Sequence, residues 1–494
     1  MRSSTAGLAL VFDCGATNLR VMAMDAGGNV VAAKAFPNST TEDPFWKGGR
    51  IWDLEQLWQK FCAASKEVMA QIKGQPIVGL SVTTFGVDGT FVNEQGQALY
   101  PVISWQCPRL SAYMEGIHRY MPVSELYRIS GVYPHAFNTI AKMAWFKEER
   151  PDVLAKAHRF LFLPSLFLHK LGGAPVNDTT MLGTSMMGDL RHRQPSEAIF
   201  KAMGLPVALF GEVAEPGARI GAVRPQAARA CGIPEGTALY LSGHDTQFAL
   251  WGSGAEPGQP VLSSGTWEIL MVRSKSFSAG EQDLASGLTT EADALPGLYN
   301  IGQNWLGSGV LEWFSRHFYP GMQGDALYQK MMEEAAAVAP GSKGLLVDPS
   351  FYNELSQGGG QIKGLRIQTS RGEIYRALLE GLSYRLREGL EQMQQAGGFH
   401  PDRIIVVGGG SKNELWNQIR AAVCGLPMQF IGQTETTVLG AAIFVFSGAG
   451  IFRQPEEARA QINYSARFVE PDKSLAALYE ERYRAYLALK STPH

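Results

Sequence analysis

Asp13 closes the apolar run Leu8-Ala-Leu-Val-Phe12 and is followed by Cys14-Gly-Ala-Thr-Asn18, a turn of small and hydroxyl-bearing residues. A carboxylate at a strand end beside such a turn suits a Mg2+-bound polyphosphate. Backbone N–H groups and the Thr17 hydroxyl could cradle phosphate oxygens while Asp13 held the hard cation, directly or through water. Taken alone, Asp-x-Gly-x-Thr is also an ordinary strand-ending turn. Two further glycine turns at strand ends strengthen the phosphate reading: Ser264-Gly265-Thr266, and the triglycine Gly408-Gly409-Gly410 after Ile404 to Val407. Together the three turns could enclose one nucleotide. Ser411-Lys-Asn-Glu414 has the pattern of a capping box and predicts a helix through Cys424, so the triglycine falls at a helix start, where anions bind. No G-x-x-x-x-G-K-[ST] sequence occurs anywhere, which excludes a P-loop enzyme.

Phosphoryl transfer to an alcohol also needs a base aimed at the acceptor hydroxyl. Asp245 is the candidate, in a short polar loop between Gly243 and Thr246 after an apolar strand. An aspartate there is equally an N-cap for the helix that follows. His244 reads as a hydrogen-bonding or packing residue, and Asp88 as a turn former. Thr83, Thr84, Arg109, Asn138, Asn300 and Gln303 are polar groups able to grip a polyol. Trp105 and Trp305 could cover a sugar face, although core is the commoner fate of a lone tryptophan.

These residues need a scaffold, and the hydropathy pattern supplies one. Leu8 to Asp13, Leu19 to Met24 and Val30 to Phe36 read as three antiparallel strands, the last two joined by a turn at Gly27-Gly28-Asn29. Residues 53–73 carry apolar side chains at three- and four-residue spacing and predict an amphipathic helix. Ile77 to Val82 is the next strand and ends in Thr83-Thr-Phe-Gly-Val-Asp88-Gly89, the kind of edge where α/β proteins place binding groups. Near residue 237 the arrangement begins again: strand, glycine turn, hydroxyl, strand. This reads as a weak internal duplication with a spacing of about 250 residues. The Gly/Pro-rich segment from Ser253 to Pro260 marks the boundary, giving an N-terminal domain over 1–253 and a C-terminal domain over 254–494. The glycine-rich stretch 357–361 reads as a surface loop or a lid. Thr436 to Phe452 reads as a buried helix and its exit turn, too short to cross a bilayer.

Composition narrows the function. The chain has 494 residues, too many for one hydrophobic core, and 44 Lys+Arg against 46 Asp+Glu. A net charge of −2 leaves no basic footprint for nucleic acid. Five scattered cysteines without CxxC spacing give no zinc site and fit a reducing compartment. The short apolar run from Ala6 to Phe12 is cut by Asp13 before it reaches leader length, so a cytoplasmic location is expected and no membrane partner. Glycine is in excess, 55 residues or about 11% against about 7% on average, and the glycine turns of the site account for part of it.

The ordered set Asp13-Cys-Gly-Ala-Thr-Asn18, Thr83-Thr-Phe-Gly-Val-Asp88-Gly89, Gly243-His-Asp245-Thr246, Gly265-Thr266, Gly408-Gly-Gly410 and Glu435-Thr-Thr-Val-Leu-Gly440-Ala-Ala442 resembles the FGGY carbohydrate kinases, from about residue 8 to 450. The resemblance implies an α/β fold of two actin-like, ribonuclease-H-type domains with the active site in the cleft between them. It also implies ATP and Mg2+ as cofactors and a small-molecule sugar as acceptor. The runs Gly243 to Leu250, Val261 to Arg273 and Ser104 to Arg109 are most similar to the branch acting on L-fuculose, implying transfer to its 1-hydroxyl in L-fucose breakdown. L-rhamnulose or another ketose is the alternative acceptor, and an actin-like ATPase in which Asp245 orients water is the alternative from another class.

Carried over position by position, the resemblance makes Asp245 the proton acceptor and puts Asp13 on the Mg2+ side. Ala16, Thr17 and Asn18 form the first phosphate hairpin, and Thr266 lies in the second. Ser308 and Gly309 lie near the nucleotide, with Gly408, Gly409, Gly410 and Asn413 along its adenosine. Thr84, Gly86, Asn138, His244 and Asn300 fall on the sugar side. Many family members carry Trp-x-Asp-x-Arg where this chain has Trp105-Gln-Cys107-Pro-Arg109, which removes an acceptor for sugar hydroxyls and disfavours glycerol and xylulose. The sequence leaves self-association into a homo-oligomer open.

Overall fold

A computed structural model describes residues 7–351 and 359–490. Residues 1–6, where the apolar run at Ala6 begins, and residues 357 and 358 of the glycine-rich stretch lie outside the described residues. The rest of that stretch leads into a short strand, Gln361–Lys363, paired with Leu346–Asp348.

The chain divides into two compact units. One comprises residues up to Gly254 with Ser274–Asn300 and Glu435–Asn463. The other comprises Ala255–Arg273, Ile301–Thr434 and the chain from Tyr464 onward.

In the first unit, Leu8–Cys14, Asn18–Met24 and Val30–Pro37 form the antiparallel meander the alternation predicts. Ile77–Thr84 then pairs parallel with Leu8–Cys14, Ala238–Tyr240 parallel with Ile77–Thr84, and Arg219–Ala222 antiparallel at the edge. Leu8–Cys14, flanked by Asn18–Met24 on one side and Ile77–Thr84 on the other, is central to the sheet and buried along its whole length. The Leu54–Ile72 helix is capped by Asp53, whose Oδ1 accepts from Glu55 N and Gln56 N at 3.0 Å each. It buries Leu57, Trp58, Phe61 and Val68, and Phe61 stacks on Phe12 at 4.8 Å between ring centroids.

In the second sheet, which has seven strands, six successive ones lie in the order Tyr299–Leu306, Trp267–Ser274, Pro260–Ser264, Ile404–Val407, Met428–Ile431 and Ala466–Val469. Pro260–Ser264 pairs antiparallel with Trp267–Ser274 and parallel with Ile404–Val407. Met428–Ile431 continues parallel, and Ala466–Val469 closes the edge antiparallel. The order of these six strands repeats that of the six-stranded first sheet, so the weak sequence duplication is a duplication of topology.

Thr436–Gly448 is the buried helix expected from its uncharged sequence, and it belongs to the first unit. It crosses the Asp245–Gly252 helix so closely that a Cβ at Gly440 would strike the Phe248 carbonyl and one at Gly252 the Thr436 carbonyl. Phe444 seats the crossing, edge-on to Phe248 at 5.5 Å and to Trp251 at 5.2 Å. Among the described residues no helix is long and apolar enough to cross a membrane.

Candidate active site

Two strand ends in the first unit bring the central loops together. Ser81 Oγ and Ser242 Oγ are hydrogen-bonded at 2.6 Å. The Gly243 carbonyl accepts from Thr83 Oγ1 at 2.9 Å and from Thr84 N at 3.0 Å. Gly243-His244-Asp245 is thereby held beside Thr84-Phe85-Gly86. Only glycine fits at 243, because a Cβ would run into the Asp178 carboxylate and Thr180 Oγ1. A Cβ at Gly86 would come within 2.8 Å of His244 Nε2.

Asp245 is the first residue of its helix, and His244 occupies the N-cap position without a side-chain cap. The Asp245 carboxylate accepts from the adjacent Thr246 N at 2.7 Å, so the capping role that the sequence left open is not the one it plays. Burial, reinforced by the nearby Asp13 charge, pushes its pKa up to about 7. A carboxylate poised there is a well-matched general base at neutral pH.

His244 stands between two carboxylates. Its Nε2 lies 3.5 Å from Asp245 Oδ1 and its Nδ1 lies 3.6 Å from Glu291 Oε2. Glu291, in the Thr289–Ala292 strand, also accepts from Thr184 Oγ1 at 2.8 Å and from Gln247 Nε2, and the Gln247 amide faces that of the fully buried Asn300. Burial raises Glu291 to about 7 and lowers His244 to about 4. Sequence reading missed Glu291. Its only signal was a carboxylate inside the small-residue run Leu288-Thr-Thr-Glu-Ala292.

Asp13 is buried, and Arg20 from the neighbouring strand donates to its Oδ2 through both Nε and Nη2. Arg20 Nη1 reaches Glu435 Oε2 at 2.5 Å. Burial raises the Asp13 pKa and Arg20 pulls it back. Neither Arg20 nor Glu435 was foreseen in this role. With Oδ2 engaged, Oδ1 remains for a cation, and among the described residues no group of three or more His, Cys, Asp and Glu gathers to cage one. That donor set fits Mg2+, which keeps several waters and takes one or two carboxylates alongside substrate phosphates. Ala16, Thr17 and Asn18 form the tip of the adjoining hairpin, Thr17 and Asn18 exposed, with Gly15 N bonded to Asn18 O at 2.9 Å.

Several sugar-side candidates are already engaged within the protein. Thr84 Oγ1 donates to Phe85 O at 2.7 Å. Asn138 is buried, accepting from His135 N at 2.5 Å and donating to Thr184 O at 3.4 Å. Arg109 is turned inward, buried against Asp43, with Nε 3.1 Å from Cys107 Sγ. Gln303 bonds Gln392 Oε1 at 2.7 Å, and Trp305 Nε1 bonds Glu268 Oε2 at 2.9 Å. Asp88 is no mere turn former, since Lys142 Nζ lies 2.7 Å away and Trp52 Nε1 donates to it at 2.7 Å. Trp105 lies beside this hub, its backbone N 3.0 Å from Asp88 Oδ2.

In the second unit the carbonyls of Gly265 and Thr266 accept from Ser308 N at 2.9 Å and Gly309 N at 3.2 Å, joining the turn to the start of the Ser308–Phe318 helix. The triglycine packs on the same turn: a Cβ at Gly408 would lie 2.6 Å from the Ser264 carbonyl, and one at Gly410 would strike Ser264 Oγ. Arg420, fully buried against Glu268 and 2.8 Å from Ser264 Oγ, anchors the turn from below. Thr266, Ser308, Gly309 and Gly408 to Gly410 therefore share one surface of this unit. The capping-box expectation is corrected here. Gly409–Lys412 wind as a 3-10 turn, Ser411 Oγ bonds back to Gly408 O at 2.6 Å, and the helix starts at Glu414 with Asn413 as its cap, accepting from Trp416 N at 2.9 Å.

Comparison with known proteins accords with this arrangement. Residues 8–252 match the N-terminal domain of the FGGY family of carbohydrate kinases, and residues 261–449 match its C-terminal domain. The chain is 43% identical over 465 residues to an L-fuculokinase of Escherichia coli strain K12, covering 94% of this chain and 97% of that protein. It is 38% identical over 471 residues to an L-fuculokinase of Haemophilus influenzae, covering 94% and 100%. The crystal structure of xylulose kinase from Rhodospirillum rubrum superposes with a TM-score of 0.89 over 98% of each chain at 22% identity, a likeness of fold. The fold is the two-domain, actin-like α/β type.

Proposed function

Because the chain belongs to the FGGY family of carbohydrate kinases, we propose that it transfers the γ-phosphoryl group of ATP to the 1-hydroxyl of L-fuculose, with Asp245 as the base. The position and raised pKa of Asp245 carry the chemical part of this reading. The similarity to L-fuculokinases carries the choice of sugar and, with it, a place in L-fucose breakdown in the cytoplasm.

Asp245 takes the proton of the 1-hydroxyl as its oxygen attacks phosphorus. The bond between phosphorus and the bridging oxygen of ADP breaks, leaving L-fuculose 1-phosphate, ADP and a protonated Asp245. Asp13 would hold Mg2+ on the phosphate side, where the cation neutralises charge on the phosphate oxygens. Arg20 fixes the Asp13 carboxylate in orientation. The hairpin of Ala16, Thr17 and Asn18 offers N–H and hydroxyl donors to phosphate. Thr266, Ser308, Gly309 and the triglycine do the same from the second unit, with Asn413 holding the helix behind them. Gly86 and His244 line the sugar side, and Asn300, Thr84 and Asn138 hold its walls.

Incubating the enzyme with Mg2+, ATP and, separately, L-fuculose, L-rhamnulose, D-ribulose and L-xylulose, with product detection by mass, tests the reading. L-Fuculose should give the highest kcat/KM and a monophosphate matched one to one by ADP. Asp245→Asn should lose about 10²–10⁴-fold in kcat. ADP release without sugar phosphate, or an Asp245→Asn variant within about tenfold of wild type, would refute it.

A further inference from the structure

Glu291 is a buried carboxylate that the transfer chemistry does not use. Its Oε1 accepts from Thr184 Oγ1 and its Oε2 from Gln247 Nε2, so it already serves as an acceptor from two directions. The third group facing it is His244 Nδ1, 3.6 Å from Oε2. A neutral imidazole carries one N–H, and the neighbour of each nitrogen decides which one. Burial keeps His244 neutral near pH 7. Nδ1 is buried and faces an acceptor with lone pairs to spare. Nε2 looks the other way, against Gly86 and 3.5 Å from Asp245 Oδ1, an oxygen that already accepts from Thr246 N and Thr246 Oγ1, whereas Nδ1 is the buried nitrogen without a partner. Both separations exceed a formed hydrogen bond, as is usual before substrate closes a site.

We propose that Glu291 is a positioning residue that holds His244 in its Nδ1–H form, so that Nε2 presents a lone pair beside Asp245 and accepts a hydrogen bond from a second hydroxyl of the sugar. The inference rests on the reading of Asp245 as the base at a sugar site. It adds the chemistry of the acceptor: a polyol with a hydroxyl donor close to the one that is phosphorylated, and not a carbonyl at that place. Gln247 and Thr184 keep the Glu291 carboxylate in orientation. Because Gln247 lies on the same helix turn as Asp245, the base and the tautomer are set by one rigid element.

The test reads the tautomer directly. With ¹⁵N-labelled histidine, the signal of His244 is assigned among the nine histidines by its loss in His244→Gln. In the wild-type protein at pH 7.5, Nδ1 should be protonated and Nε2 unprotonated. A wild-type Nε2–H would overturn the proposal. Glu291→Gln replaces two acceptor oxygens by one, which cannot serve Thr184, Gln247 and Nδ1–H together. The proton should move to Nε2, and KM for the sugar should rise about tenfold or more, with KM for ATP within about twofold. Glu291→Asp should recover part of the loss. A Glu291→Gln protein that keeps the Nδ1–H form, or loses affinity for ATP and sugar alike, would overturn it too. If that variant fails to fold, the wild-type tautomer decides. The tautomer is read without turnover, so its failure is separate from a failure of the Asp245→Asn test.

Discussion

Lys142 Nζ lies 2.7 Å from Asp88 Oδ1, and neither side chain has any exposed surface. The ammonium also donates to Val87 O at 3.0 Å and Phe137 O at 2.9 Å, while Asp88 Oδ2 accepts from Trp52 Nε1 and Trp105 N. Val87 sits between them at a φ of 65°, an uncommon conformation for a β-branched residue. The buried pair holds the loop that carries Gly86 in a shape it would not take alone. Removing one partner strands a buried charge, so Lys142→Met should cost about 3–5 kcal/mol. Thermal melting should show it, and Asp88→Asn added to Lys142→Met should cost much less than the sum. At temperatures where the variants stay folded, KM for the sugar should rise more than KM for ATP.

The helix crossing beneath Asp245 makes a second prediction. Gly440→Ala would drive a methyl group into the Phe248 carbonyl, a backbone atom that cannot rotate away. Overpacking of this kind costs about 1–3 kcal/mol. Because the displaced helix begins with Asp245, kcat should fall along with the melting temperature. Gly359→Ala is the control: nothing lies within 4 Å of that Cβ and its φ lies outside the left-handed region, so neither packing nor backbone opposes the methyl group.

The fold was legible where its signals are local. Alternation over Leu8 to Phe36 and the helical spacing of residues 53–73 gave the meander and its covering helix, because neighbouring side chains set those periods. The candidate site was half legible. Asp13, Asp245 and the glycine turns sit at strand ends whose sequence pattern announces them. Glu435 lay in a motif, but its partner Arg20 is 415 residues away and nothing local joins them. Glu291 gains its meaning only from Thr184 in one segment and from His244 and Gln247 in another, both far from it in sequence. The capping error at Ser411 has a local cause: a φ of +89° at Gly408 and the 3-10 turn after it delay the helix until Asn413 can cap it.

Asp178 gives a pH test. Its Oδ1 accepts from Thr180 N and Met181 N at 2.9 Å each, but its Oδ2 is buried without a hydrogen-bond partner among the described residues. Burial raises its pKa to about 6. Between the unfolded value and about 6, the folded protein holds a proton that the unfolded chain has released. The contribution of this group therefore falls as pH rises through that window. Asp178→Asn cannot ionise, so its stability relative to wild type should improve by roughly 1–2 kcal/mol between pH 4.5 and pH 7.5. Denaturant midpoints at the two pH values check the sign, and a wild-type advantage over Asp178→Asn that grows with pH would show that Asp178 is already ionised at pH 4.5 in the folded state.

Arg109 gives the last prediction, because its sequence context pointed to the sugar and its surroundings point inward. The guanidinium pairs with Asp43, which also accepts from Tyr100 OH at 2.7 Å, and lies over Trp145 at 4.8 Å and Trp46 at 5.5 Å. A lysine keeps the charge but loses both the planar fork and the stacking. Arg109→Lys should therefore cost about 2–3 kcal/mol, near the lower end for a disturbed buried pair. KM for the sugar should stay within about twofold of wild type, since no sugar contact is lost. Cys107→Ser should cost about 1 kcal/mol, because the hydroxyl can still accept from Arg50 N and Arg109 Nε, as Sγ does at 3.3 and 3.1 Å. Melting curves and sugar kinetics on the same preparations separate the roles. A rise of tenfold or more in sugar KM for Arg109→Lys, without loss of stability, would move Arg109 from the core to the sugar.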